Sequence, residues 1–174
     1  MKRWITGIVA VFLFALSGCT PKQEPAETSL FAMNTYMTLT AYGENAQDAL
    51  DMSTQLIQTV ESLWSVTDEA SEIYQANHSG GQSVPVSEET ADILAFTLEM
   101  ARQTDGALEP TIYPVLEAWG FTTDTKQVPA QEQIDILLKQ VDYTQIQLDG
   151  TTLTVPEGMQ LDLGAVGKGY TADL

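Results

Sequence analysis

The chain has 174 residues, 44% of them hydrophobic, with 7 Lys+Arg against 24 Asp+Glu and a formal net charge of −17. The length suits one ordinary domain or a piece of a larger one, and the apolar content suffices for a core, which excludes wholesale disorder. The charge excludes a nucleic-acid binder, which needs cations to displace the counterions of phosphates. It also means that an anionic ligand would meet few positive side chains, so metal ions or backbone N–H groups would have to help hold it.

The N-terminus reads as an export signal. Lys2-Arg3 is a charged start, and Trp4 to Ala15 (WITGIVAVFLFA) is a short apolar run, below the roughly 20 residues that span a bilayer. Leu16-Ser17-Gly18-Cys19 follows and resembles the bacterial lipobox, in which the cysteine is lipidated and becomes the first residue of the mature chain. Cys19 is the only cysteine, which excludes an internal disulfide, a Cys-rich zinc site and a CxxC redox pair. Thr20 to Ser29, polar with two prolines, reads as a tether. The expected organisation is a signal peptide over 1–18, a lipid-anchored tether over 19–29 and a domain over 30–174. That domain works outside the cytoplasm, at the periplasmic or extracytoplasmic face of the membrane. Removal of 1–18 leaves five cations: Lys22, Arg102, Lys126, Lys139 and Lys168.

The remaining elements mix α and β. Phe31 to Tyr42 (FAMNTYMTLTAY) reads as one strand with Met37, Leu39 and Ala41 on one face. Asn45 can cap a helix running to Trp64, with Ala46, Ala49, Leu50, Leu56, Ile57, Val60 and Trp64 at helical spacing. A polar stretch holds a short helical turn at Ser71-Glu72-Ile73, and Val84-Pro85-Val86 is extended. Ser87 caps a helix with Glu88 and Glu89 in its first turn, ending near Thr104 before Asp105-Gly106. Pro114 marks a break or short helix within Pro110 to Trp119. Pro129 opens another helix with Ile134, Leu137, Leu138 and Val141 on one face. Ile146 to Val155 reads as a hairpin turning at Asp149-Gly150.

The last segment carries the most chemistry. Met159 to Leu163 (MQLDL) reads as a strand, Gly164 to Tyr170 (GAVGKGY) as a glycine-rich turn, and Thr171 onward as the start of a helix. Such an arrangement can present backbone N–H groups to an anion, with Lys168 adding a cation. Two readings stay open, a phosphate site and a plain glycine-rich connector. A Walker A loop is excluded, because Asp162 stands where that motif needs Gly and Gly169 where it needs Ser or Thr. His78, the only histidine, sits beside a glycine-rich loop, which excludes a Ser-His-Asp mechanism. No cap or stop signal follows Thr171, so further sequence is expected beyond Leu174.

Four motifs, in order, resemble those of the ApbE family of FAD:protein FMN transferases. They are Met33-Asn34-Thr35; Ser65, Asp68, Ser71, Glu72 and Asn77; Thr104 to Thr111 with Pro114 and Trp119-Gly120-Phe121; and Asp162 to Tyr170. The resemblance covers Leu30 to Leu174. It implies an α+β fold, an antiparallel sheet with packed helices, of which this chain is the N-terminal part. It also implies contacts by position. Met33 and Thr67 would meet FAD, Thr67 standing where the family often has an aromatic. Ala107, Leu108 and Glu109 would line the cofactor, Glu109 replacing a usual Asp. Asp162 and Lys168 would hold FAD at the glycine-rich segment, with Asp162 either orienting it or acting as a general base. The Ala165 backbone carbonyl would bind Mg²⁺, the other ligands lying further along.

The activity so implied is Mg²⁺-dependent transfer of FMN from FAD to a Thr or Ser hydroxyl of a target flavoprotein, releasing AMP. Partners would be FAD, that flavoprotein and the membrane, through lipid on Cys19. Two alternatives use the same residues: Mg²⁺-dependent FAD pyrophosphatase activity and non-catalytic flavin binding.

Overall fold

The structure, a computed structural model, describes residues 24–123 and 125–174. The signal segment, Cys19 and the first part of the tether lie outside the described residues. In chain order the elements are β1 (Ala26–Ala32), β2 (Thr35–Ala41), α1 (Ala46–Trp64), α2 (Glu72–Asn77), β3 (Ser83–Pro85), α3 (Glu88–Gln103), α4 (Tyr113–Ala118) and α5 (Gln131–Leu137). Single 3₁₀ turns at Leu138–Gln140 and Tyr143–Gln145 follow, then β4 (Gln147–Asp149), β5 (Thr152–Thr154) and α6 (Gly164–Asp173). β1 and β2 form one antiparallel pair, and β3-β5-β4 form a second antiparallel sheet in that order. The fold is α+β, antiparallel sheets with helices packed on them. No helix among the described residues is long and apolar enough to cross a membrane.

The segment expected as one strand over Phe31 to Tyr42 is instead a hairpin. Phe31 pairs with Tyr36 and Ala32 with Thr35, leaving Met33-Asn34 as a two-residue loop. Both loop residues take left-handed backbone angles, φ 50° and 54°, the pair that a type I′ turn demands. Pairing starts at Ala26 against Ala41, so Ala26 to Ser29, expected as the end of the tether, are strand. The inward face of β2 is the expected one: Thr35, Met37, Leu39 and Ala41 are half-buried against α1 while Tyr36, Thr38 and Thr40 are exposed. Two residues of turn reverse the parity, so β1 turns Ala26, Thr28, Leu30 and Ala32 inward.

Helix α1 has the expected limits but not the expected cap. The Asn45 side chain makes no capping bond, and the Ala46 N–H donates to the Gly43 carbonyl at 3.2 Å. Leu50, Ile57, Val60 and Trp64 are its buried stripe. Helix α3 starts as its sequence dictates, with Ser87 Oγ accepting the Thr90 N–H at 3.2 Å, and stops at Asp105 and Gly106, both left-handed. Glu72 locks α2 to that cap, its carboxylate accepting the Ser87 N–H at 2.9 and 3.0 Å. The hydrophobic core lies between α1, α2, α3 and the second sheet. Val60, Trp64, Ile73, Ile93, Leu94, Leu153, Val155, Leu161 and Leu163 are all within it. The Trp64 indole N–H is satisfied there by Thr90 Oγ1 at 3.1 Å.

Three smaller expectations are corrected. Pro129 precedes α5 and Ala130 is its N-cap. The second hairpin turns at Gly150-Thr151, since Asp149 pairs with Thr152. Met159 to Leu163 makes no strand ladder; one parallel bridge joins Gln160 to Ile112, and the segment is otherwise pinned by side chains.

Candidate functional site

Asp162 lies where the chain leaves the core and enters α6. Leu161 and Leu163 beside it are 0% and 3% exposed, so alternation turns Asp162 away from the core, half-buried. Its N–H donates to the Pro110 carbonyl at 2.8 Å. Asn77 takes both sides of Leu161: its Oδ1 accepts the Leu161 N–H at 2.7 Å and its Nδ2 donates to the Leu161 carbonyl at 2.9 Å. The Asn of the second motif therefore does the work of a missing strand partner directly before Asp162.

The glycine-rich segment is not a turn ahead of a helix; it is the first turns of α6, which begins at Gly164. Asp162 Oδ1 accepts the Gly164 N–H at 2.7 Å. A Cβ on Gly164 would lie 2.8 Å from that same oxygen. Gly164 is small for the sake of the Asp162 carboxylate, not for a left-handed backbone angle. Desolvation pushes the Asp162 carboxyl above its usual range, against the opposing pull of the Gly164 N–H and the Lys168 charge.

Lys168, one turn into α6, donates from Nζ to the Met33 carbonyl at 3.3 Å. On the other side of the same residue, the Met33 N–H donates to Glu61 Oε1 at 2.7 Å. The hairpin turn, the end of α1 and the start of α6 so enclose a cleft of about 620 Å³, within the size range of small-molecule sites. Met33, Asn34, Glu61, Thr67, Asp162, Gly164 and Lys168 all line it. Thr67 is exposed there, in a turn built by Ser65, whose Oγ accepts the N–H groups of Thr67 at 3.2 Å and Asp68 at 3.0 Å.

A second, smaller cavity of about 290 Å³ lies on the other side of Asp162. Leu108, Glu109 and Ala165 line it, and Asp162 and Gly164 belong to both. The expected site residues are thus divided, with Asp162 as the shared wall. Ala107 lines neither cavity; its N–H donates to the Thr104 carbonyl at 3.1 Å. The Glu109 carboxylate is occupied by the fold. It accepts the Thr111 N–H at 2.9 Å and hydroxyl at 2.6 Å, and the Tyr143 N–H at 3.2 Å. His78 lines neither cleft; its ring stacks on Tyr74 with centroids 3.9 Å apart. Among the described residues, no group of three or more His, Cys, Asp or Glu side chains converges on a metal position.

Two charged cleft residues were not foreseen. Lys126 lines the cleft and donates to the carbonyls of Gly120 at 2.8 Å, Phe121 at 3.3 Å and Thr123 at 3.1 Å. With Lys168, it places two of the four Lys and Arg of the described residues at one cleft of an acidic chain. Nothing in the local sequence marks Lys126. Glu61 did leave a signal: it is a charged residue three positions before Trp64 and four after Ile57, on the buried stripe of α1.

This is an α+β protein with a ligand-sized cleft at the start of a helix. Residues 33–174 match the ApbE family, and the chain belongs to it. It is 29% identical over 191 residues to the FAD:protein FMN transferase of Escherichia coli, covering 95% of this chain and 52% of that one. With that of Salmonella typhimurium it shares 28% identity over 179 residues, covering 92% and 51%. The crystal structure of the ApbE protein of Thermotoga maritima has a TM-score of 0.82 at 29% identity, over 86% of this chain and 50% of that one. The apo flavinyl transferase ApbE of Pseudomonas stutzeri shares the fold, with a TM-score of 0.77 at 20% identity, over 89% and 54%. The chain spans about half the length of the curated relatives it matches.

Proposed function

We propose that this chain supplies the flavin-nucleotide cleft of an FAD:protein FMN transferase, acting with Mg²⁺ on a target flavoprotein. In this reaction a Thr or Ser hydroxyl oxygen of the target attacks the FMN phosphorus. The bond to the bridging oxygen breaks, AMP departs with that oxygen, and the hydroxyl proton passes to a base. The observation that carries the reading is convergence. Met33, from the first hairpin, and Asp162 and Lys168, from the last segment, line one cleft at a helix start, and the family's curated relatives are named for this activity.

Each residue has work in that cleft. Lys168 offers positive charge to the pyrophosphate, with the positive end of α6 beside it. Met33 offers an apolar contact to the flavin ring. Asp162 orients the ligand or takes the hydroxyl proton. Desolvation makes its carboxylate a stronger base than an exposed one, which favours that second role. Asp162 and Ala165 line the smaller cavity, and a carboxylate and a backbone carbonyl are the ligand type Mg²⁺ takes. When bound, Mg²⁺ neutralises charge building up on the pyrophosphate. The lipobox at Cys19 supports an exported, membrane-anchored protein acting outside the cytoplasm.

One observation favours a second reading, hydrolysis of FAD to FMN and AMP. Thr67 is small and exposed, which leaves its flank of the cleft open to water as the acceptor. The complete protein, incubated with FAD, Mg²⁺ and a candidate flavoprotein, distinguishes the readings. Covalent FMN on the flavoprotein is the expected result. Free FMN alone means hydrolysis, and unchanged FAD in a bound state means flavin binding without catalysis.

A further inference from the structure

The Met33-Asn34 turn is held in a conformation its own residues disfavour. A two-residue hairpin of this type needs left-handed angles at both positions, and Gly is the residue that supplies them at no steric cost. Here neither position is Gly: φ is 50° at Met33 and 54° at Asn34. Asn tolerates the left-handed region; Met does so poorly. Such angles persist where the surroundings over-determine them.

The surroundings are two charged side chains of opposite sign. Glu61 Oε1 accepts the Met33 N–H at 2.7 Å, and Lys168 Nζ donates to the Met33 carbonyl at 3.3 Å. The first is short and half-buried and the second is long and exposed, so the Glu61 oxygen is the firmer of the two holds. The first explains a costly feature of α1. A half-buried carboxylate on an apolar stripe is unfavourable unless it finds donors, and Glu61 finds the amide of the strained residue. Its bond fixes the plane of the Met33 amide, and so the direction of the Met33 side chain. The carbonyl of that residue sets where Lys168 rests.

We infer that Glu61 is a positioning residue of the cleft: it locks the left-handed Met33-Asn34 turn and, through it, fixes Met33 and Lys168 for the ligand. The inference rests on the flavin reading given above, and it requires no contact between Glu61 and the ligand. The hydrogen-bonding oxygen matters; the net charge of residue 61 is secondary.

The test uses the complete protein as wild type, Glu61→Gln, Glu61→Ala, Asn34→Gly and Glu61→Ala/Asn34→Gly. Ala is the best helix former, so α1 keeps its own stability. Two quantities are measured: amide hydrogen exchange of the hairpin over 26–41 without ligand, and the FAD binding isotherm. Glu61→Gln keeps an acceptor oxygen and is expected to bind within about twofold of wild type. Glu61→Ala is expected to speed exchange at the turn and weaken FAD binding about tenfold, the scale of one lost hydrogen bond. Adding Asn34→Gly to Glu61→Ala is expected to recover part of the exchange protection, because Gly takes the left-handed angle freely at one of the two turn positions, while Met33 keeps its strain. Unchanged exchange and binding in Glu61→Ala overturn the inference. So does a Gln variant as weak as Ala, since Glu61 would then act by charge or by touching the ligand. A wild-type protein that binds no FAD sinks the flavin reading instead, and the exchange measurement alone then decides whether Glu61 holds the turn.

Discussion

Asp162 is where the core and the site meet in one residue. Its neighbours Leu161 and Leu163 are anchored in the core, and its Oδ1 caps the Gly164 N–H. Its carboxyl is raised chiefly by desolvation, so the folded protein holds that proton more tightly than the unfolded chain does. The sign follows from linkage. Stability is reduced once Asp162 must ionise in place, at pH above its raised value, and the penalty disappears below the ordinary aspartate range. Asp162→Asn keeps an oxygen for the Gly164 N–H and removes the charge. Without ligand it is expected to melt higher than wild type at neutral pH, and the advantage is expected to vanish as acidification reaches the ordinary aspartate range. The same variant is expected to lose flavin transfer, a trade of activity for stability read from melts and turnover on one sample. Gly164→Ala tests the geometry of the same carboxylate. Its Cβ would lie 2.8 Å from Asp162 Oδ1, so the carboxylate must swing away from its cap. Ala otherwise suits a helix better than Gly. The expected result is near-unchanged stability, within about 1 kcal/mol, with FAD binding weakened about tenfold.

Elements differed in how far their residues announced them. Helix α3 was fully legible, because both of its ends are set by local chemistry: Ser87 accepts the Thr90 N–H, and Asp105-Gly106 turn left-handed after it. The β1–β2 hairpin was not. Its turn lacks glycine and is held by Glu61, 28 residues away, and by Lys168, 135 residues away. No local window contains that information. The segment before α6 was misjudged for a similar reason. MQLDL has strand alternation, yet its ladder partner is the side chain of Asn77, 84 residues away. Of the residues the family resemblance pointed to, Met33, Thr67, Asp162 and Lys168 line one cleft. Leu108, Glu109 and Ala165 line its neighbour instead, a division that depends on how the chain wraps around Asp162. The Asn77 clamp has a direct test. Asn77→Ala removes both bonds to Leu161 and is expected to cost about 2–3 kcal/mol in denaturant unfolding. Asn77→Asp keeps the acceptor but sets a charge against the Leu161 carbonyl, so it is expected not to restore stability. Faster amide exchange at Leu161 in both variants would tie the loss to this segment rather than to α2 as a whole.

At the scale of the whole molecule, charge is the organising feature. The chain carries −17, and its positive groups are not scattered evenly. Arg102 is paired with Glu99 at 2.7 Å on the surface of α3, while Lys126 and Lys168 border the cleft. A body this acidic is repelled by the anionic lipids of a membrane surface, whose attraction is reserved for basic segments. The membrane anchoring proposed from the lipobox would therefore draw on the N-terminus rather than on the surface of the domain. The apolar run Trp4 to Ala15 is short for a span, whereas lipid on Cys19 would hold the chain without any help from charge. The expected outcome is that membrane-fraction protein carries the added mass of acyl chains at an N-terminal Cys19, and that high-salt washing does not release it. Two variants separate the anchor from the leader. Cys19→Ser is expected to lose the acyl mass. Replacing 1–19 with a cleavable leader that lacks a lipobox is expected to yield a soluble exported protein with unchanged FAD binding, since the cleft begins at Phe31. Acyl-free protein that stays in the membrane fraction after that exchange would show that some other part of the chain binds the membrane, against the repulsion its charge predicts.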